Sequence, residues 1–189
     1  MKTDARVRYT RMRIKEAFFS CLERKPASKI TVKEICDMAE INRATFYKHY
    51  ADPFELMQKL EEETLEELRQ NIQACRQKTS QGLLLTILKS MKNTKNSYTL
   101  LTSENGDPGF AACIADLFYN EFQPRMAQNL PGCSDYEKNA AFLFVSGGCG
   151  HLISAWIKNG MLVSPEQVAD GLNKMCTAFV KAYGSNIDF

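Results

Sequence analysis

The sequence predicts an all-α protein of about nine helices, with a three-helix N-terminal domain at residues 1–52 and a larger helical domain at residues 53–189. Apolar residues recur at helical spacing along most of the chain, and no segment alternates as a half-buried strand does. Thr31, Ser134 and Ser164 each follow a break in the periodic pattern and stand three positions before a Glu or Gln, which is typical of a capped helix start. At 189 residues the chain is long enough to bury a core without disulfides.

The cysteines and the apolar segments indicate a reducing, aqueous compartment. The seven cysteines are spread over the chain and show no Cys-x-x-Cys spacing, so we predict no disulfide framework, no metal site and no cofactor. No uninterrupted apolar stretch reaches the roughly 18–20 residues that a membrane span needs. We therefore expect a cytoplasmic protein without a membrane partner.

The charge is distributed unevenly along the chain. Residues 1–50 hold 12 Lys and Arg against 6 Asp and Glu, whereas the remaining residues hold 12 against 16. A basic head on an acidic body is expected when one end faces a polyanion. A basic, solvated tail gives the same pattern, so charge alone leaves both interpretations open.

Local signals define three helices in the N-terminal domain. An apolar stripe predicts a first helix that ends before Lys25-Pro26. Thr31 with Glu34 forms a capping box that starts a second helix. After a short turn, Asn42 is expected to cap a third helix that runs through RATFYKHY.

The rest of the chain predicts six more helices. They are expected to begin near Pro53, Ser80, Asn96, Phe110, Ser134 and Ser164. The first of them should run to about Lys78. Pro124 should end or kink the helix that begins near Phe110, and Gly160 and Gly184 should close the last two helices.

The third helix has the composition of a major-groove reader. The groove accepts one helix, whose N-terminal residues face the bases, so we predict that Lys33, Arg43 and Ala44 read bases. Other donors suit phosphate oxygens, and we assign that role to Thr31, Thr45, Tyr47, Lys48 and His49. Phe46 and Tyr50 should point into the core. A solvated surface helix is the alternative, but the capped preceding helix, the short turn and the local positive charge favour binding of double-stranded DNA.

The block from Tyr9 to Leu56, especially ITVKEICDMAEINRATFYKHYADPFEL, resembles the DNA-binding head of the tetracycline-repressor (TetR) family. The resemblance implies that Thr45, Tyr47 and His49 touch the phosphate backbone. It also implies that residues at the positions of Lys33, Arg43 and Ala44 face bases. A helix-turn-helix transcriptional regulator, expected to be a repressor, follows from this resemblance.

Two further features bear on the resemblance. Many family members have a phosphate-contacting Lys near the start of the fourth helix, where this chain has Asp52-Pro53. The C-terminal pattern GGCGHLISAWIKNGMLVSPEQVA is similar to the subgroup that includes regulators of dihydroxyacetone kinase genes.

The C-terminal domain is expected to provide dimerisation and effector binding. Two heads are needed to reach the half-sites of a palindromic operator, about 34 Å apart, so we predict a homodimer. The predicted interface comprises Gly147, Gly148, Leu172, Met175 and Phe179. The resemblance also implies a small-molecule effector pocket, for which the candidates are Met91, Tyr98, Leu101, Phe110, Ile114, Phe118, Phe122, Phe144, His151 and Trp156. For each candidate, ordinary core packing is the alternative.

Two other functions compete with a regulator controlled by a small ligand. An enzyme is disfavoured because the chain has only two histidines and lacks a Gly-rich phosphate loop and a Gly-x-Ser-x-Gly elbow. Cys149 and His151, at i and i+2 of one helix, face different directions. The other rival is a similar regulator whose body binds a partner protein in place of a small ligand.

Overall fold

The computed structural model describes residues 2–75, 79–93, 97 and 100–184, and within these ranges it is all-helical, without a strand. The described α-helices are α1 (Lys2–Leu22), α2 (Val32–Ala39), α3 (Arg43–Tyr47), α4 (Pro53–Ala74), α5 (Ser80–Asn93), α6 (Pro108–Ala127), α7 (Asp135–Lys158) and α8 (Pro165–Tyr183). A 3-10 turn spans Ala27–Lys29. Ser97, Leu100 and Leu101 are also helical, within the segment predicted as a short helix. The predicted all-α class is confirmed.

The chain divides into two compact units. The head unit comprises residues 1–67 together with 96–112, and the body unit comprises 68–95 together with 113–189. Helices α4 and α6 each contribute residues to both units. The functional division between residues 1–52 and 53–189 stays a prediction.

The head unit is built around the contact of α1 with α2 and of α2 with α3. Its fully buried side chains include Ile14, Phe18, Leu22, Ile35 and Phe46. Tyr50 is buried as well, and its ring centroid lies 5.8 Å from that of Phe46. Both aromatic rings therefore point inward, as predicted.

The body unit has its core where α8 packs against α5 and α7. The buried apolar residues on α5 and α8 are Leu83, Ile87, Leu88, Met91, Ala169 and Leu172. At the edge of this contact, Lys89 Nζ pairs with Glu166 Oε1 at 2.9 Å. Asn71 of α4 donates a hydrogen bond to Ser90 of α5 at 3.1 Å. Apolar burial therefore holds the body together, and the polar contacts lie around it.

Capping explains where several helices begin. All three predicted capping boxes are present, formed by Thr31 with Glu34, Ser134 with Glu137 and Ser164 with Gln167. In each, the first residue accepts a hydrogen bond from the backbone N–H three positions on. Pro165 occupies the first position of α8, where its missing N–H costs nothing.

Some helix limits differ from those predicted. Thr79 rather than Ser80 caps α5, because its Oγ1 accepts the Gly82 N–H at 3.2 Å. Helix α6 continues past Pro124 to Ala127, since one missing N–H does not end a helix whose neighbouring residues still bond. Helix α3 ends at Tyr47 rather than Tyr50, because the next backbone N–H groups turn back to the Phe46 carbonyl.

Helix α7 is unusually apolar for its exposure. It is long and apolar enough, by length and composition alone, to cross a membrane, and 17% of its most apolar window is buried within the chain. The sequence prediction considered uninterrupted apolar runs, which Ser146, Gly147 and Gly148 break. Much of the apolar surface of α7 is consequently exposed within the described part of the chain.

Candidate nucleic-acid interface

A turn of three residues joins α2 to α3. Glu40 adopts the left-handed conformation, with φ 57° and ψ 44°, and the Ile41 N–H bonds to the Cys36 carbonyl at 3.0 Å. A left-handed residue with a side chain costs about 1–2 kcal/mol. Arg13 of α1 offsets this cost, since its Nη2 donates to the Ala39 carbonyl at 3.3 Å and to Glu40 Oε2 at 3.0 Å. Helix α1 thereby holds the turn that sets the direction of α3.

The start of α2 is fixed by a polar cluster. Glu34 Oε2 accepts from the Thr31 backbone N–H at 3.0 Å, and Glu34 Oε1 accepts from Lys25 Nζ at 2.6 Å. The hydrogen bonds from Lys25 and Thr31 lower the pKa of Glu34 to about 2. The carboxylate therefore stays charged at neutral pH and fixes the backbone that carries Lys33.

Helix α3 has five residues, so its ends matter more than its own hydrogen bonds. Asn42 Oδ1 accepts both the Thr45 backbone N–H, at 2.7 Å, and the Thr45 hydroxyl, at 2.9 Å. Phe46, at the opposite face, is completely buried. A cap and an anchored ring together hold the segment in place.

The residues predicted to face DNA lie on the surface of the head unit. Lys33, Arg43 and Ala44, the predicted base readers, are all exposed. The predicted phosphate contacts Thr31, Tyr47 and Lys48 are exposed, while Thr45 and His49 are half-buried. The exposed face thus contains donors at the start of both helices, and the buried face contains Phe46.

Two of the predicted phosphate donors already have partners. The hydroxyl of Thr31 donates to Glu34 Oε2 at 2.7 Å, and the hydroxyl of Thr45 donates to Asn42. Each must turn its proton away from a helix cap before it can donate to a phosphate oxygen. Tyr47 and Lys48 are therefore better placed for immediate contact with a phosphate.

Arg11 is a member of this surface that the sequence did not single out. Burial lowers the pKa of His49, and the positive charges of Arg11 and Lys48 lower it further. Arg11 of α1 consequently lies in the same electrostatic neighbourhood as α3. The excess of positive charge in residues 1–50 was the only sequence signal for it, because no local pattern links positions so far apart.

The start of α4 differs from the family pattern in a way the structure explains. Asp52 Oδ1 accepts the Glu55 backbone N–H at 2.8 Å, so Asp52 caps the helix. Glu55 in turn pairs with Lys59 at 2.6 Å, and the Lys59 ammonium lies 5.4 Å from the centre of the Tyr50 ring. Asp52 therefore stabilises the helix start at the position where the resemblance implied a phosphate-contacting Lys.

Comparison with known proteins identifies the family. Residues 78–178, just over half of the chain, match the TetR model described as a transcriptional regulator C-terminal region. The chain belongs to the TetR family. Family and fold both point to a transcriptional regulator rather than an enzyme. No curated protein matches the sequence.

Solved TetR-like structures resemble nearly the whole chain. A TetR transcriptional regulator from Streptococcus agalactiae is 25% identical, with a TM-score of 0.64 over 93% of this chain and 98% of that one. The dihydroxyacetone kinase operon activator DhaS is 19% identical, with a TM-score of 0.58 over 92% and 97%. NalD of Pseudomonas aeruginosa, a secondary repressor of the MexAB-OprM efflux pump, is 17% identical, with a TM-score of 0.62 over 92% and 97%. The last two likenesses establish the fold.

The effector candidates of this TetR-family chain are distributed over the head unit and the body unit. Leu101 and Phe110 are buried in the head unit, and Met91 and Trp156 are buried in the body unit. Ile114, Phe118 and Phe122 are half-buried on α6. Phe144 and His151 are exposed on α7, and Tyr98 lies outside the described residues. Trp156 Nε1 donates to the Val163 carbonyl at 2.9 Å, so its polar group already has a partner.

The predicted interface residues divide into surface and core. Gly147, Gly148 and Met175 are exposed, and Phe179 is half-buried. Leu172, however, is only 2% exposed within its own chain. It belongs to the core of the body unit, where α8 packs against α5 and α7. Leu172 is therefore not part of the surface that a second copy could contact.

Proposed function

We propose that this TetR-family protein is a sequence-specific regulator that binds a palindromic operator as a homodimer. The observation that supports the proposal most is the exposure of Lys33, Arg43 and Ala44 beside the buried anchor Phe46. A helix presented in this way fits the major groove, about 12 Å wide. Arg43 reaches two acceptors on a guanine edge, and Ala44 contacts a thymine methyl group.

The test is a titration of DNA binding at fixed salt. The probe is a duplex that the wild-type protein selects from a random-sequence pool. Arg43→Ala should reduce the preference for one base by about 1–3 kcal/mol, roughly 5- to 150-fold, whereas Tyr47→Ala should weaken binding to all sequences. Lys158→Ala, which removes an exposed charge from the body unit, is the control. Wild-type binding by both head variants would refute the assignment.

Salt dependence tests the phosphate contacts separately. Each released counterion adds to the slope of the binding constant against salt. Lys48→Ala should therefore lower that slope by about one, with little effect on the choice of sequence. A slope that equals that of the wild type would remove Lys48 from the contact.

Dimerisation is proposed from the exposed surface of α7 and α8. Phe144 stacks on Phe179 with ring centroids 5.3 Å apart, and Phe179 stacks on Tyr183 at 5.3 Å. We call these three rings the aromatic ladder. Phe144 remains 72% exposed, far more than a core ring. We expect the surface of a partner protein to cover this ring and shield it from water.

Two glycines next to the ladder support a close approach of a second copy. Gly147 and Gly148 follow Phe144 by one helical turn, and a Cβ at either would meet nothing within 4 Å in the same chain. A glycine inside a helix costs about 1 kcal/mol relative to alanine. No described atom of the same chain requires glycine at these two positions, whereas the close approach of a helix from a second copy would require it.

Light scattering of the free protein tests the dimer. Wild-type protein at micromolar concentration should have the mass of two chains without detergent, and Phe144→Glu should shift it toward one. Tyr136→Glu is the matched control, since Tyr136 is an 82% exposed aromatic residue of α7 outside the ladder. A wild-type mass of one chain would refute the dimer.

We propose repression as the outcome of operator binding. A bound dimer blocks other proteins from the same DNA without any further contact. Among the similar structures, NalD is named a repressor and DhaS an activator, so the sign is tested directly. A reporter placed behind the selected operator in cells should fall in expression with the wild-type protein and recover with Arg43→Ala. A rise with the wild type would reverse the proposal.

A small-molecule effector of the body is the remaining proposal, and a partner protein is the second candidate. The half-buried apolar residues Ile114, Phe118 and Phe122 favour a small apolar ligand, while the exposed ladder favours a protein. Trp156 is the only tryptophan, so its fluorescence reports ligand binding to the body. A compound that changes both this fluorescence and operator affinity supports the effector.

We place the protein in the cytoplasm, where its DNA lies, and assign it no catalytic role.

A further inference from the structure

Two cysteines of the body unit lie side by side. Cys149 of α7 and Cys176 of α8 place their sulfur atoms 3.5 Å apart, within hydrogen-bonding distance for thiols. Both side chains are half-buried. The other five cysteines are described too, and none of them has a thiol partner: Cys21 lies against Met38 and Cys75 against Thr86. This pair is therefore distinct among the seven.

The pair is close to the geometry of a disulfide. A disulfide needs its sulfur atoms about 2.0 Å apart, so the two must approach by roughly 1.5 Å. Rotation of two cysteine side chains and a small shift of α7 against α8 supply such a movement. The helices already contact each other, so no segment has to unfold.

The hydrogen bond between the thiols makes one of them a better nucleophile. Donation from Cys149 lowers the pKa of Cys176 to about 7. The same hydrogen bond, together with burial, raises the pKa of Cys149. The thiolate is the reactive form of cysteine, so the sulfur that accepts this hydrogen bond is the one that attacks, and we assign that role to Cys176 and the resolving role to Cys149.

We propose that Cys149 and Cys176 are a thiol-oxidation site that forms an intrachain disulfide on reaction with a peroxide. The Cys176 thiolate attacks one peroxide oxygen, the O–O bond breaks, and hydroxide leaves and takes up a proton to become water. The resulting Cys176 sulfenic acid is attacked at sulfur by the Cys149 sulfur. The S–O bond breaks, the S–S bond forms, and a second water leaves with the Cys149 proton. Hydrogen peroxide is reduced and the two thiols are oxidised.

The surroundings of the pair admit a small oxidant. Gly150 follows Cys149 directly, is exposed, and a Cβ there would meet nothing within 4 Å. Phe179 lies one helical turn after Cys176 and belongs to the aromatic ladder. The disulfide would therefore join α7 to α8 next to the surface proposed for dimerisation. Its formation is a property of one chain and does not depend on DNA binding.

The test is disulfide mapping of the reduced full-length protein. The protein is treated with hydrogen peroxide, remaining thiols are alkylated, and peptides are identified by mass spectrometry. The expected product is one cross-linked pair that contains Cys149 and Cys176 and is lighter by two hydrogen atoms. Cys113→Ser is the control, because Cys113 is exposed and has no thiol partner, so the cross-link should persist in it.

Two single variants assign the order of attack. In Cys149→Ser, a 1,3-diketone probe for sulfenic acids should label Cys176, because no resolving thiol remains. In Cys176→Ser, Cys149 should stay unlabelled. The proposal is overturned if wild-type protein shows Cys113 oxidised with Cys149 and Cys176 still reduced. It is also overturned if non-reducing electrophoresis shows the cross-link between two chains rather than within one.

Discussion

The five-residue helix α3 depends on one buried ring, which makes Phe46→Ala a direct test of how the residues proposed to face DNA are held in place. Phe46 is 0% exposed and its ring lies 5.8 Å from those of Tyr47 and Tyr50. Replacing a fully buried Phe by Ala typically costs 3–5 kcal/mol. A helix this short has almost no stability of its own to compensate. The loss should therefore fall on the head unit.

Native-state hydrogen exchange measures this loss by region. A cost of 3–5 kcal/mol corresponds to a decrease of roughly two to four orders of magnitude in amide protection. The decrease is expected for amides of α2 and α3, such as that of Ile35. Amides of the body core, such as those of Leu83 and Leu88, should keep their protection. Binding to the selected duplex should weaken in parallel, since the presented donors lose their fixed positions.

Phe54→Ala is the matched control, since Phe54 belongs to the same unit but is 59% exposed. A surface substitution of this kind changes stability by no more than about 0.5 kcal/mol. The reasoning fails if Phe46→Ala costs less than about 1 kcal/mol, or if both Phe variants cost the same.

Three further perturbations have defined outcomes. Burial and the charges of Arg11 and Lys48 lower the pKa of His49 in the free protein, and a nearby DNA phosphate should raise it. Operator affinity should therefore fall as pH rises through the pKa of His49 in the complex, and His49→Gln should flatten this dependence in titrations across pH. Glu61 has a buried oxygen without a hydrogen-bond partner in the described structure, and burial together with the nearby Asp107 charge raises the pKa of Glu61 to about 7. The stability of the head unit should therefore fall between about pH 4.5 and 7, and denaturant titrations of Glu61→Gln should lack that decline. Ser164→Ala removes the acceptor of the Gln167 N–H, 3.2 Å away, and should cost the body about 1 kcal/mol in urea unfolding, while Ser164→Thr should retain most of it.

The sequence predicts the helix starts well because capping is local. Thr31, Ser134 and Ser164 each bond to a residue three positions on, and such a pattern is visible in the printed sequence. The inward direction of Phe46 follows from helical periodicity in the same way. Because Phe46 occupies the buried face, the residues proposed to read bases are then expected on the exposed face.

Contacts between distant segments were not predictable in this way. Arg13 and Glu40 meet across 27 positions, and no periodic pattern links a residue of α1 to the turn before α3. The pairing of Cys149 with Cys176 likewise depends on how α7 lies against α8. Only the packing of the helices brings these residues together.

The assignment of body residues to a pocket or an interface was limited by α7 itself. This helix carries apolar side chains around most of its circumference, so periodicity does not distinguish an inner from an outer face. Phe144, predicted for the pocket, is exposed and stacks on Phe179, predicted for the interface. The tertiary contacts of α8 decide which residues remain at the surface.

The support of α3 has a consequence for how binding preferences change over time. The helix is retained by the Asn42 cap and the Phe46 ring, neither of which reads a base. Arg43 and Ala44, which are solvent-facing, can therefore be exchanged for other side chains at little expense to folding. A change of target site should therefore need only a few surface replacements while the scaffold stays intact.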